Sequence, residues 1–261
     1  MYKDIFEAAE KGSIDDVRFF VEQGVDVNVR NDNESTPLYF VVGDEFNIDV
    51  VKYLVEHGAY VNVKNVYDWT PLHIAAREPN NVDIVKYLLD HGADVNAEDE
   101  DGLAPLCYAT MYCSNVDMLK HMINAGARVS MEAYDNHTFL HVAARSNPNV
   151  DVTKFWIEEG IDVNIKDDSG MTPLHECARF GKSLEVLKYL ITQNADINLK
   201  NSFGETPVHS ASRFNPNVDM LKYLISQGAD VNECVTPVDW ATTDEKKEIL
   251  RAAGGKSGAE L

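Results

Sequence analysis

Basic residues are scarce in this chain: 23 lysines and arginines face 43 aspartates and glutamates, a net charge of −20 over 261 residues. A surface of that sign repels phosphate backbones and argues against a nucleic-acid partner. It favours solubility or a basic partner instead. Long apolar runs are missing as well. No stretch approaches the ~18 residues that a membrane-crossing helix needs. The opening Met1-Tyr2-Lys3-Asp4-Ile5-Phe6-Glu7 carries acids where an export signal is apolar. The expectation is a cytoplasmic protein with no membrane partner. Cysteine is sparse: Cys107, Cys113, Cys177 and Cys234 form no CxxC pair and no small-domain disulfide pattern. Free thiols in a reducing compartment fit that spacing. The HExxH and GxSxG signatures of metalloproteases and hydrolases are absent too.

What the chain has is repetition. A phrase built on Thr-Pro-Leu-His starts at Thr36, Thr70, Ala104, Thr138, Thr172 and Thr206, each 34 residues after the last, and again at Thr236 after 30. A period of this size marks a stack of supersecondary units, each too small to bury its own apolar face. Such stacks bind through extended surfaces and rarely hold a catalytic pocket. Although 261 residues could make two compact domains, the repeat predicts one continuous solenoid over residues 1–254.

The stretch from Trp69 to Asn96 shows one unit. Thr70 before Pro71 starts a helix, the hydroxyl capping free N–H groups and the ring presetting the first turn. Leu72, Ala75 and Ala76 form a short helix whose small residues allow a close neighbour. Pro79-Asn80-Asn81 breaks it. Asp83 opens a second helix with Ile84, Val85, Leu88 and Leu89 at helical spacing. Gly92 stops that helix in the left-handed conformation. A polar finger through Asp99 and Gly102 then leads to the next unit. The stop recurs at Gly24, Gly58, Gly126, Gly160 and Gly228, with Asn194, the next-best residue for a positive φ, in the remaining place.

Thr70-Pro71-Leu72-His73-Ile74-Ala75-Ala76 together with Gly92-Ala93-Asp94-Val95-Asn96 resembles the ankyrin repeat. The resemblance covers about residues 2–254. It implies an all-α solenoid of stacked helix-turn-helix units with protruding β-hairpin-like fingers. The tetratricopeptide repeat shares the 34-residue period, but it lacks the Thr-Pro start and the long finger. The family's usual period is 33; here one residue is added in the turn between helices, as in Asn147-Pro148-Asn149 and Asn215-Pro216-Asn217. Loops absorb such additions cheaply. The predicted organisation is a capping repeat at 1–35, internal repeats at 36–69, 70–103, 104–137, 138–171, 172–205 and 206–235, a closing cap at 236–254, and a frayed tail at 255–261. Polar capping repeats at both ends predict a monomer.

Other motifs fail on inspection. His73, His141, His175 and His209 share one slot, but stacked helices lie about 8–10 Å apart, too far to share a metal with bonds of ~2 Å. The resemblance implies instead that this histidine bonds finger backbone. Gly255-Lys256-Ser257 lacks the glycine a phosphate loop needs at Leu250. Asp99-Glu100-Asp101 misses the calcium-loop spacing and reads as a solvated finger tip. Cys113, in an inter-helix turn, is expected at the surface, with nothing nearby in sequence to lower its pKa. No cofactor or metal is expected.

The resemblance implies that partners dock on the side formed by finger tips and inner helices. Tip positions hold Val66, Tyr67, Trp69, Leu103, Tyr134, His137, Met171 and Phe203; inner-helix positions hold Arg77, Met111, Tyr112, Arg145, Arg179, Phe180, Arg213 and Phe214. Trp, Tyr and Arg are the residue types enriched at interface hot spots. The expected function is therefore non-catalytic binding of another protein, as adaptor, scaffold or inhibitor. Two alternatives stand beside it: an enzyme with an unrecognised site, and a passive or designed array without a specific ligand.

Overall fold

The computed structural model describes residues 2–43, 47–130, 137–232 and 236–260. These fall into two compact units, Met1–Val129 and Ser130–Leu261. In the N-terminal unit four short inner helices, α1 (Ile5–Lys11), α3 (Pro37–Val41), α5 (Pro71–Arg77) and α7 (Pro105–Tyr112), alternate with outer helices α2 (Ile14–Glu22), α4 (Ile48–Glu56), α6 (Val82–Asp90) and α8 (Asp117–Asn124). The C-terminal unit repeats the pattern. Its inner helices are α9 (Phe139–Ser146), α11 (Pro173–Phe180), α13 (Pro207–Phe214) and α15 (Pro237–Trp240); its outer helices are α10 (Val150–Glu158), α12 (Leu184–Thr192), α14 (Val218–Ser226) and α16 (Asp244–Ala252). Among the described residues there is no strand, and no helix is long and apolar enough to cross a membrane.

Leu72, Ala75, Ala76, Val85 and Leu88 are fully buried between neighbouring helix pairs, as their spacing predicts. In the C-terminal unit Phe139 stacks on Trp156, ring centres 4.6 Å apart, giving that part of the core an aromatic layer. Asn194 adopts φ +67°, doing at the end of α12 what glycine does elsewhere.

Three sets of polar side chains join successive repeats. The slot histidine is the first. Its Nδ1 accepts from the backbone N–H of the capping threonine, 3.1 Å for Thr70–His73. Its Nε2 therefore carries the proton and donates to the next finger, 3.1 Å to the Leu103 carbonyl. The second is the asparagine four residues after the helix stop at Gly24, Gly58, Gly92, Gly160, Asn194 and Gly228; after Gly126, Ser130 stands in its place. Asn62 Nδ2 donates to the Gly92 carbonyl at 2.8 Å, and its Oδ1 accepts from Asp94 N–H at 2.8 Å. The third lies in the inter-helix turn, where buried Asn81 Nδ2 donates to the Val42 carbonyl and buried Asn215 Nδ2 to those of Ala178 and Gly181. These turn asparagines satisfy carbonyls left open at the preceding inner helix. Lys246 takes this role in the last repeat: its buried ammonium donates to the Ala211 and Ser212 carbonyls at 3.2 and 3.0 Å.

Four of the described fingers turn on one buried amide or carboxylate, Asn65, Asp99, Asp167 or Asn201. Asn65 Oδ1 accepts from Tyr67 and Trp69 N–H, Asp99 Oδ1 from Asp101 and Leu103 N–H, and Asn201 Oδ1 from Phe203 and Glu205 N–H. Asp99 is thus no solvated tip. It is buried, and it also accepts from the Tyr108 hydroxyl at 2.6 Å. Neighbouring fingers share backbone bonds, Val66 N–H to the Asn33 carbonyl and Glu100 N–H to that of Tyr67.

One further expectation is corrected. Cys113 is buried, and burial pushes its thiol up to about 12. In the stretch 255–260 Lys256 N–H donates to Asn232 Oδ1 and Gly258 N–H to Asp239 Oδ2, at 2.8 and 2.7 Å.

Candidate interaction surface

In the N-terminal unit the finger holding Asn65 lifts Val66 and Tyr67 into solvent, each about half exposed. Trp69 turns inward. Its indole lies 4.6 Å from the Tyr108 ring and 5.9 Å from His73, so much of it is packing within the finger base. On the inner helices Arg77 is exposed, with its guanidinium 5.9 Å from the centre of the exposed Tyr112 ring. Met111 is half-buried.

Leu103 and Met171 depart from the expectation of exposed tips. Both are buried, because the position before each helix start closes the finger base. Their carbonyls accept the histidine bonds from His73 and His141. The Met171 sulfur also lies 3.2 Å from Asn201 Nδ2. Tyr134 lies outside the described residues, as does Cys234.

The C-terminal unit brings most of its predicted residues together. An open cleft of about 520 Å³ is lined on the inner-helix side by Arg145, Glu176, Arg179, Arg213 and Phe214, and on the finger side by His137, Met171 and Phe203. Phe203 at the finger tip is 72% exposed. Across the inner helices, cations and rings alternate. Arg145 lies 4.3 Å from the Phe180 centroid, Arg179 4.8 Å from Phe180 and 4.2 Å from Phe214, and Arg213 4.8 Å from Phe214 and 4.6 Å from Trp240. Each ring attracts the guanidinium through its negative face. The arrangement also holds these long side chains upright on a surface where they would otherwise be mobile.

Two carboxylates sit beneath this ladder, and the sequence reading missed both. Glu176 is 3% exposed, on the slot that Phe40, Ile74, Tyr108, Val142, Ser210 and Trp240 occupy in the other repeats. Burial pushes its pKa up, against the pull of Arg145, 3.5 Å away, and of His137 and Arg179. Asp167 is the buried anchor of its finger. It accepts from Met171 N–H at 2.8 Å, and His137 Nε2 lies 3.5 Å from its other oxygen. Trp240, which ends the ladder, was missed because its short helix departs from the repeat. The one signal for Glu176 was its charge in a slot with no other ionisable carboxylate.

The histidines behind the cleft are committed to structure. Burial holds His141 and His175 down at about 4, so both rings are neutral at pH 7 and keep Nε2 as a donor. Cys107 and Cys177 are likewise buried, and burial raises both thiols, Cys107 to about 11.

Comparison with known proteins agrees with this architecture. The family model "Ankyrin repeats (3 copies)" matches residues 5–99, 106–201 and 175–252. An ankyrin repeat domain-containing protein, oryK of Aspergillus oryzae (strain ATCC 42149 / RIB 40), is 54% identical over 39 residues. That match covers 15% of this chain and 6% of the fungal protein, so it speaks for a shared repeat and not for a shared whole.

Proposed function

Because the chain belongs to the ankyrin-repeat family, whose repeats generally serve protein–protein interaction, we propose that it binds another protein on the face made by its fingers and inner helices, without catalysis. One observation carries this reading: Phe203, 72% exposed, stands at a finger tip beside a row of ring-stacked arginines. A large apolar side chain held out on a polar turn contributes nothing to its own repeat. Tyr67, 52% exposed, repeats the pattern in the N-terminal unit. A face prearranged by three sets of inter-repeat hydrogen bonds loses little conformational entropy on binding.

The finer role within that reading is occupation or bridging of the partner, as inhibitor, adaptor or scaffold in the cytoplasm. The test is affinity capture from the source cells, comparing the wild type with a Tyr67→Ala/Phe203→Ala variant of unchanged thermal stability. A captured protein lost with the variant supports the reading. Equal capture by both contradicts it.

A further inference from the structure

Among α1, α3 and α5 of the N-terminal unit lies an open groove of about 420 Å³, with Tyr39, Phe40 and Ile74 as its apolar walls. All three are half-buried. The Phe40 ring meets half-buried Phe6 edge-on at 5.7 Å and Tyr39 at 5.8 Å, so the wall is a cluster of three rings that the unit covers only in part. Gly43 keeps the groove open. At its place in later repeats stand Arg77, Met111, Arg145, Arg179 and Arg213, all long side chains. The backbone at Gly43 is not left-handed, so the turn itself does not call for glycine. A β-carbon there would stand 3.0 Å from Ile74 Cγ2 and press on the groove wall.

Charge narrows what can enter. Lys11, the one base lining the groove, is paired with Glu10 at 3.4 Å, so the groove offers no unpaired cation. Around it the unit from Met1 to Val129 carries 23 acids against 10 bases. Of those bases, Arg18, Arg30, Lys64, Lys120 and Arg128 are also paired with acids of the same unit. The remaining field is negative and draws in cations. An apolar side chain is the group that gains by entering such a groove, and a buried anchor of this kind dominates binding energy.

We propose that this groove seats a large apolar side chain of a partner protein whose flanking residues are lysine or arginine, the ring or branched chain giving affinity and the cations steering the encounter. This names the partner chemistry for the N-terminal part of the face proposed above and rests on that reading.

The test is fluorescence anisotropy with the full chain and three labelled ten-residue peptides. The first has one central phenylalanine between lysines, with alanine elsewhere. The second has serine for the phenylalanine, and the third has glutamate for every lysine. The first is expected to bind at least tenfold more tightly than the second, and the third not to bind. Ile74→Glu should weaken the first peptide tenfold or more, although it adds a charge that attracts lysine. Glu176, at the same place in its own repeat, shows that the fold carries a carboxylate there. Equal affinity for the first two peptides, or undiminished binding to Ile74→Glu, means charge attraction alone and overturns the proposal. Tight binding of the third does so too, as does a dimer in sedimentation that Ile74→Glu dissolves, which gives the groove to a second copy. Should Ile74→Glu fail to fold, a benzophenone in place of the central ring locates the site: adducts at 39–43 or Ile74 support it, and adducts confined elsewhere overturn it. Failure here, with capture still lost in Tyr67→Ala/Phe203→Ala, removes the apolar anchor and leaves the binding face standing.

Discussion

His141 Nε2 donates to the carbonyl of Met171, 3.0 Å away and 30 residues further along the chain. The same ring accepts from Thr138 N–H through Nδ1. One neutral imidazole thus starts a helix and fastens the following finger, and His175 does the same for Glu205 at 3.1 Å. Protonation would turn Nδ1 from acceptor to donor and set it against the threonine N–H.

Acid should therefore unfold the C-terminal unit early. Both rings have folded pKa values of about 4, below the unfolded value near 6.5. The unfolded chain then binds more protons between these values, so stability falls as pH drops from about 6.5 to 4. The loss is about 3 kcal/mol per ring at pH 4, against a domain stability of roughly 5–15 kcal/mol. Glu176, raised by burial, takes its proton more readily in the fold and offsets part of it. Thermal melts at pH 7, 5.5 and 4 should show a steep decline. A melting temperature unchanged down to pH 4.5 would mean the rings are not buried as described.

Thiol reagents should find the native protein unreactive at Cys107, Cys113 and Cys177. All three are buried, with thiols raised by burial, and only the thiolate attacks. Ellman's reagent at pH 8 followed by peptide mapping should leave these three unlabelled until denaturant is added. Fast native labelling of Cys113 would contradict its burial.

Lys246→Ala should destabilise the protein by about 1–3 kcal/mol, because two buried carbonyls lose their donor. Burial lowers the pKa of this ammonium, so the charge itself is held at a cost. Urea titration measures the change; a midpoint within error of the wild type would show that water replaces the lysine freely.

Phe214→Leu should cost about 0.5–1 kcal/mol, since it removes an exposed ring shared by Arg179 and Arg213. The same titration checks this. No change would mean the stacking is lost in solution.

The helix pairs were legible because their causes are local: Thr-Pro starts, glycine stops, and Asn194 in the one exceptional place. The finger bases were not. Leu103 and Met171 look like exposed tips in sequence, yet they are closed over by a histidine bond from 30 residues earlier. Asn62 and Asn81 looked like loop residues for the same reason, since their partners lie 30 and 39 residues away. The arginines and phenylalanines of the cleft were each picked out, but their alternation is a product of stacking successive repeats and is invisible along one chain. Glu176 was passed over because helical periodicity says nothing of a charge on a buried slot.

Hydrogen exchange of the chain with its captured partner tests the central claim most directly. Slowed exchange is expected in the finger at 201–205 and in α11 and α13, with outer helices α12 and α14 unchanged. Protection confined to α12 and α14, with the finger unaffected, would contradict the assignment of the binding face.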